Sequence, residues 1–156
     1  KRLVEMCKNN VSEYLFEIEG KSSHTFGALQ EVKKLLNLSV LPKYIEAYDI
    51  SHTMGHENVA GMVVFEDGKP NKSNYKKFKI KSFDGQDDCR SMAEVLERRL
   101  LEYLNPQKRD AGFSKLPDLI LLDGGITQLN AVEAVLNRLN IKVRKIKFFF
   151  GLFALK

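Results

Sequence analysis

Three aspartates stand where the chain could do metal chemistry. Asp49 comes at the C-terminal end of an apolar β run, Tyr44–Ile50. Asp123 closes the wholly apolar stretch Leu119–Leu122, which reads as a central buried strand. If those two strands are parallel neighbours, both carboxylates leave the sheet at one edge, within one strand spacing. Like charges that close are unfavourable unless a cation or a proton lies between them. Hard carboxylate oxygens suit Mg²⁺ or Mn²⁺. Asp88 opens the helix between the strands and could bring a third carboxylate, which would suit metal-assisted phosphodiester hydrolysis. Taken singly, each aspartate also fits a turn or a helix cap: Asp123 precedes Gly124-Gly125, and Asp88 lies at a helix start.

The elements that must position these groups follow from the spacing of apolar residues. Leu3, Val4, Met6, Val11, Tyr14, Leu15 and Ile18 predict one helix over residues 3–18. Phe26, Leu29, Val32, Leu35 and Leu36 predict a second, shorter one, and Pro42 then sets an extended chain. Tyr44–Ile50, Val59–Phe65 and the segment of Tyr75, Phe78 and Ile80 read as three strands. The turn Glu66-Asp67-Gly68-Lys69-Pro70 closes the second. Short connections favour an antiparallel meander. A helix follows to about Leu104, with Ser91 as its expected cap and Glu94 as the reciprocal partner. Met92, Leu96, Leu100 and Leu104 are expected in its core stripe. After Leu119–Leu122 come a helix over about 126–139 and a last strand candidate, Ile141–Ile146. The fold expected is α/β: a mixed sheet of three antiparallel strands, then strands parallel to the first joined by right-handed helical crossovers.

Composition narrows the class. The chain has 156 residues, 44% hydrophobic and 29% charged, with a net charge of +5. That length buries an adequate core without disulfides, and the mix is that of a globular domain. The positive balance favours an anionic partner. Cys7 and Cys89 form no zinc-ligand pattern and are expected as free thiols. No apolar run reaches membrane-spanning length and no signal segment is evident, so a cytoplasmic location without membrane attachment is expected. Gly20-Lys21-Ser22 lacks the earlier glycine of a phosphate loop, since Leu15 stands in its place.

Three strings carry a family resemblance. YDISHTMGHENVAGMVVFEDGKPNKSNYKKFKIK (Tyr48 to Lys81), DDCRSMAEVLERR (Asp87 to Arg99) and LPDLILLDGGITQLNAVEAVL (Leu116 to Leu136) closely resemble the endonuclease domain of the UvrC excinuclease family. They occur in the family's order, over about residues 1–143. The resemblance implies a ribonuclease H-like fold preceded by linking helices over residues 1–43, with the nuclease domain over 44–147. It implies a metal-dependent endonuclease making the 5′ incision at DNA lesions with Mg²⁺ or Mn²⁺. Matched motif by motif, the catalytic and metal-holding aspartates fall on Asp49 and Asp123, with Asp88 as the further acid. Asp87 and His52 are possible supporting residues, and His52 serves equally well as a structural histidine. The implied partners are DNA and, in the excinuclease complex, UvrB with UvrA.

The family's catalytic histidine lies downstream of the DGG motif, whereas the histidines here are His24, His52 and His56. A catalytically impaired DNA-binding or assembly module is therefore the alternative expectation. The segment Arg144–Lys156 does not resemble the family. Residues 148–156 read as an atypical apolar tail, with a genuine final strand as the other reading.

Six lysines between Lys69 and Lys81 have no acid among them. Lys72, Lys76, Lys77 and Lys79, interleaved with Tyr75 and Phe78, could follow a phosphate backbone; a solvated strand edge explains them as well. Arg138, Lys142, Arg144, Lys145 and Lys147 form a second basic set.

Overall fold

The fold comes from a computed structural model, which describes residues 24–53, 57–81, 87–105, 107 and 111–149. The helix expected over residues 3–18 and the thiol of Cys7 lie outside the described residues. The chain divides into two compact units. In the first, residues 24–35 form helix α1, with Leu29 buried but Phe26 and Leu35 exposed. Val32 and Leu36 are half-buried, so the expected apolar face is partly covered. Beside α1 in the same unit is the turn at Asp67-Gly68, both at positive φ.

The second unit holds the sheet. Strands β1 (Tyr44–Thr53), β2 (Glu57–Glu66), β3 (Lys69–Pro70), β4 (Lys76–Lys79), β5 (Leu119–Asp123) and β6 (Lys145–Phe149) are joined in the order β3-β2-β1-β5-β6, with β4 also paired to β2. β1–β2 and β2–β4 are antiparallel, and β1–β5 and β5–β6 are parallel. This is the mixed sheet expected from the sequence. The strands run further than the apolar runs suggest. β1 continues past Asp49 to Thr53, because its pairing with β2 satisfies backbone groups whatever the side chains. β6 starts at Lys145 and reaches Phe149, so the apolar run after Ile146 enters the sheet.

Helices α2 (Asp88–Leu104) and α3 (Ile126–Arg138) cover one face. Alternate residues Tyr48, Ala60, Met62, Val64, Ile120 and Leu122 point into that layer. They meet Met92, Val95, Leu96 and Leu100 from α2 and Val132, Val135 and Leu136 from α3. Leu104 departs from the expected stripe: it is 48% exposed, at the last residue of α2. The expected cap is also displaced. The N-cap is Asp87, whose carboxylate accepts the Arg90 N–H at 2.9 Å. Ser91 lies inside the first turn, buried, its Oγ without a hydrogen-bond partner. Glu94 instead accepts the Lys81 N–H and pairs with Arg98. An aspartate at the N-cap outcompetes a serine four residues on, because its carboxylate also meets the positive helix end.

Candidate active site

The parallel alignment of β1 and β5 is set at their starts. Asp118 Oδ2 accepts the N–H groups of Lys43 and Tyr44 at 3.1 and 3.0 Å, and the Asp118 N–H donates to Tyr44 O at 2.8 Å. The ladder then runs from Ile45↔Leu119 to Tyr48↔Leu122. The next residues are Asp49 and Asp123. Tyr48 and Leu122 are fully buried under the helices. The pleat therefore sends Asp49 and Asp123 to the opposite face from adjacent strands. Both are half-buried. Asp49 Oδ2 accepts a hydrogen bond from Ser51 Oγ at 3.2 Å.

The turn after Asp123 is built by its neighbours. Gln128 Oε1 accepts the Gly125 N–H at 2.9 Å and so caps α3. A side chain at Gly124 would stand 3.0 Å from the Gln128 amide carbon, so the first glycine of the DGG motif keeps that space clear.

Asp88 enters from the helix side. It is the first residue of α2, one turn before Met92 on the buried stripe. Among the described residues, no three His, Cys, Asp or Glu side chains are gathered so that they could hold a metal ion. Asp49 and Asp123 thus share one face of the sheet, and Asp88 opens α2. Asp87 acts as the helix cap. The backbone of His52 lies in β1 opposite Asn58, and its side chain lies outside the described residues. A carboxylate pair of this kind fits a hard divalent cation, which commonly keeps one or two protein carboxylates and fills its shell with water and phosphate.

The expected DNA-binding lysines separate. Lys76 turns toward the core side and its Nζ lies 5.6 Å from the Phe113 ring centroid. Lys77 and Lys79 are exposed on the face that carries Asp49. Lys72 sits in a short 3-10 turn. In the second basic set, Arg138 pairs with Glu97 at 2.7 Å and Arg144 with Asp118 at 3.5 Å.

Residues 33–153 match the family described as the UvrC RNase H endonuclease domain. The chain belongs to this family. The match extends past Val143, beyond the strings that carry the resemblance in sequence. UvrABC system protein C of Caldicellulosiruptor saccharolyticus is 46% identical over 143 residues, covering 92% of this chain and 23% of that protein. The protein of the same name from Caldanaerobacter subterraneus is 46% identical over 154 residues, covering 92% and 25%. The chain thus spans about a quarter of the curated relatives it matches. Among solved structures, endonuclease V of Ciona intestinalis in complex with an inosine-containing 24mer DNA aligns with a TM-score of 0.43 at 16% identity, over 83% of this chain and 56% of that one.

Charge inside the UvrC-family fold is handled by a pair the motifs do not advertise. Glu46 and Arg99 are both fully buried and bonded through two guanidinium nitrogens, at 2.6 Å from Nη2 and 3.0–3.1 Å from Nε. Tyr48 donates its hydroxyl to Glu46 at 2.6 Å, and Arg99 also reaches the carbonyls of Phe113 and Lys115. Burial on its own would push the Arg99 guanidinium down, but the hydrogen bond and charge of Glu46 hold it up. The pair lies between β1 and α2 and anchors the helix that begins with Asp88. The signal in the sequence was slight: one glutamate in an apolar strand and one arginine at helical spacing from Met92, Val95 and Leu96.

Proposed function

We propose that the chain is a divalent-metal-dependent DNA endonuclease domain of the nucleotide-excision-repair excinuclease, making the incision 5′ to a lesion. The observation that carries this reading is the β1–β5 register, which leaves Asp49 and Asp123 side by side on one face of a UvrC-family sheet. Asp49 and Asp123 would hold Mg²⁺ or Mn²⁺; when bound, the ion would polarise the phosphate and lower the pKa of water. Ser51 orients the Asp49 carboxylate through its hydrogen bond. The capped turn at Gly124-Gly125 fixes the backbone that follows Asp123. Asp88 supports the site from the start of α2, and UvrB with UvrA would deliver the damaged duplex.

A second reading, a DNA-binding or assembly module of impaired activity, is favoured by one observation: no three-member ligand group forms among the described residues. The deciding experiment is an incision assay on lesion-bearing duplex with UvrA, UvrB and Mg²⁺ or Mn²⁺. Asp49→Asn and Asp123→Asn should each lower 5′ incision about a hundredfold or more, the scale of losing several kcal/mol of charge stabilisation. Incision unchanged in both variants would overturn the endonuclease assignment.

A further inference from the structure

A row of residues crosses the sheet at the level of the two aspartates. Lys77 on β4 pairs with Gly61 on β2, Gly61 pairs with Asp49 on β1, and Asp123 on β5 is level with Asp49. Residues in one such row share a face, so Lys77, Gly61, Asp49 and Asp123 all open to the side away from α2 and α3. Glycine is unfavourable inside a strand and often marks a place where a ligand or another backbone approaches closely. Neither backbone nor packing requires it here. Gly61 is not at positive φ, and no described atom lies within 4 Å of where its Cβ would stand. The row therefore has carboxylates at one end, a bare stretch of backbone in the middle and an exposed cation at the other. Lys77 stands two strand spacings from Asp49, about 10 Å, far enough to reach a phosphate other than the one at the carboxylates.

We propose that this row is a slot for one phosphodiester strand, with Gly61 as its floor and Lys77 as the contact to a phosphate flanking the reacting one. This rests on the endonuclease reading and adds the path that the strand takes to the carboxylates. Lys79 lies on the same face and is level with Ser51 through Val59, so it extends the positive side of the slot. Lys76 faces the other way, and Lys72 is outside the row.

The test is the affinity of the chain for a fluorescently labelled DNA oligonucleotide, without divalent metal, across a salt series. Gly61→Val adds bulk only where the slot is open, so its melting temperature should match the wild type. Should it not, Gly61→Ser, with a smaller side chain, takes its place. Gly61→Val and Lys77→Ala should each weaken binding about five- to tenfold, and Lys77→Ala should flatten the salt slope by about one. Lys72→Ala, which removes an equal charge outside the row, should change affinity by less than about twofold. Wild-type binding by Gly61→Val, or equal losses in Lys72→Ala and Lys77→Ala, would overturn the slot and leave only a diffuse positive field. Metal-induced stabilisation, compared with that of Asp123→Asn, separates the two proposals. If it is intact while Gly61→Val binds DNA normally, the slot alone fails. If it is absent while Gly61→Val and Lys77→Ala bind weakly, the metal reading fails and the slot stands.

Discussion

Asp118 and Tyr44 hold each other at the shared start of two parallel strands. The Asp118 carboxylate accepts the Tyr44 N–H, and the Asp118 N–H donates to the Tyr44 carbonyl. Five residues beyond each stands an aspartate, Asp49 on one strand and Asp123 on the other. This reciprocal clamp at one end of the ladder fixes the level at which the two carboxylates emerge at the other.

Removing the clamp should loosen that alignment. Asp118→Ala leaves two backbone N–H groups without their acceptor, which costs about 1–3 kcal/mol. Asp118→Asn keeps a carbonyl oxygen and should cost less. Urea denaturation of both variants measures the difference, and equal stability of Asp118→Ala and the wild type would show the clamp to be dispensable.

The buried pair predicts a marked non-additivity. Arg99→Ala leaves Glu46 without its partner in the core, and should destabilise by about 3–5 kcal/mol. The double variant Glu46→Leu with Arg99→Met removes both charges and keeps the volume. It should recover most of that loss, since apolar replacement of an entire buried pair is often neutral or better. A double-mutant cycle by chemical denaturation gives the coupling directly.

Alkaline pH should unfold the protein through two tyrosines. Burial first, then the nearby charge of Glu46, holds the Tyr48 phenol well above its ordinary value, against the pull of Arg99. Tyr44 is raised by the same two causes in the same order. An unfolded tyrosine ionises near about pH 10 while the folded ones keep their protons. The stability they contribute is full below about pH 10 and is lost as pH rises towards the folded values. Tyr48→Phe should flatten the fall in melting temperature above about pH 10, measured across an alkaline series against the wild type.

The cap of α2 separates two neighbouring residues. Asp87→Ala should cost about 1 kcal/mol, because the Arg90 N–H loses its acceptor. Ser91→Ala should be neutral or slightly stabilising, because the buried hydroxyl already lacks a partner. Thermal melts that rank the two the other way would return the cap to Ser91.

Divalent metal should stabilise the fold by mass action if the carboxylate pair holds it. Millimolar Mg²⁺ or Mn²⁺ should raise the melting temperature, and Asp49→Asn or Asp123→Asn should abolish the rise. Asp88→Asn should reduce it less than either, since Asp88 supports the site from the start of α2 rather than holding the ion. A rise of the same size in the Asp49 and Asp123 variants would place the metal elsewhere.

Local pattern was enough to read much of this protein from its residues. Alternation and apolar runs located β1, β2 and β5, and short connections implied the antiparallel meander. The strings around Asp49, Asp87 and Asp123 marked the UvrC family. Those are properties of neighbouring residues, and neighbours are what a sequence displays. Long-range partners decided the rest. Asp118 sets the register from a position 74 residues away from Tyr44. Arg99 finds Glu46 across 53 residues and turns two charges into core. Asp87 rather than Ser91 took the cap once the helix start was placed against the sheet. The pleat put Lys77 and Lys79 on the face with Asp49 and turned Lys76 away from it. Side-chain type shows that a carboxylate or a lysine is present, but only the pairing of strands decides which of them share a face.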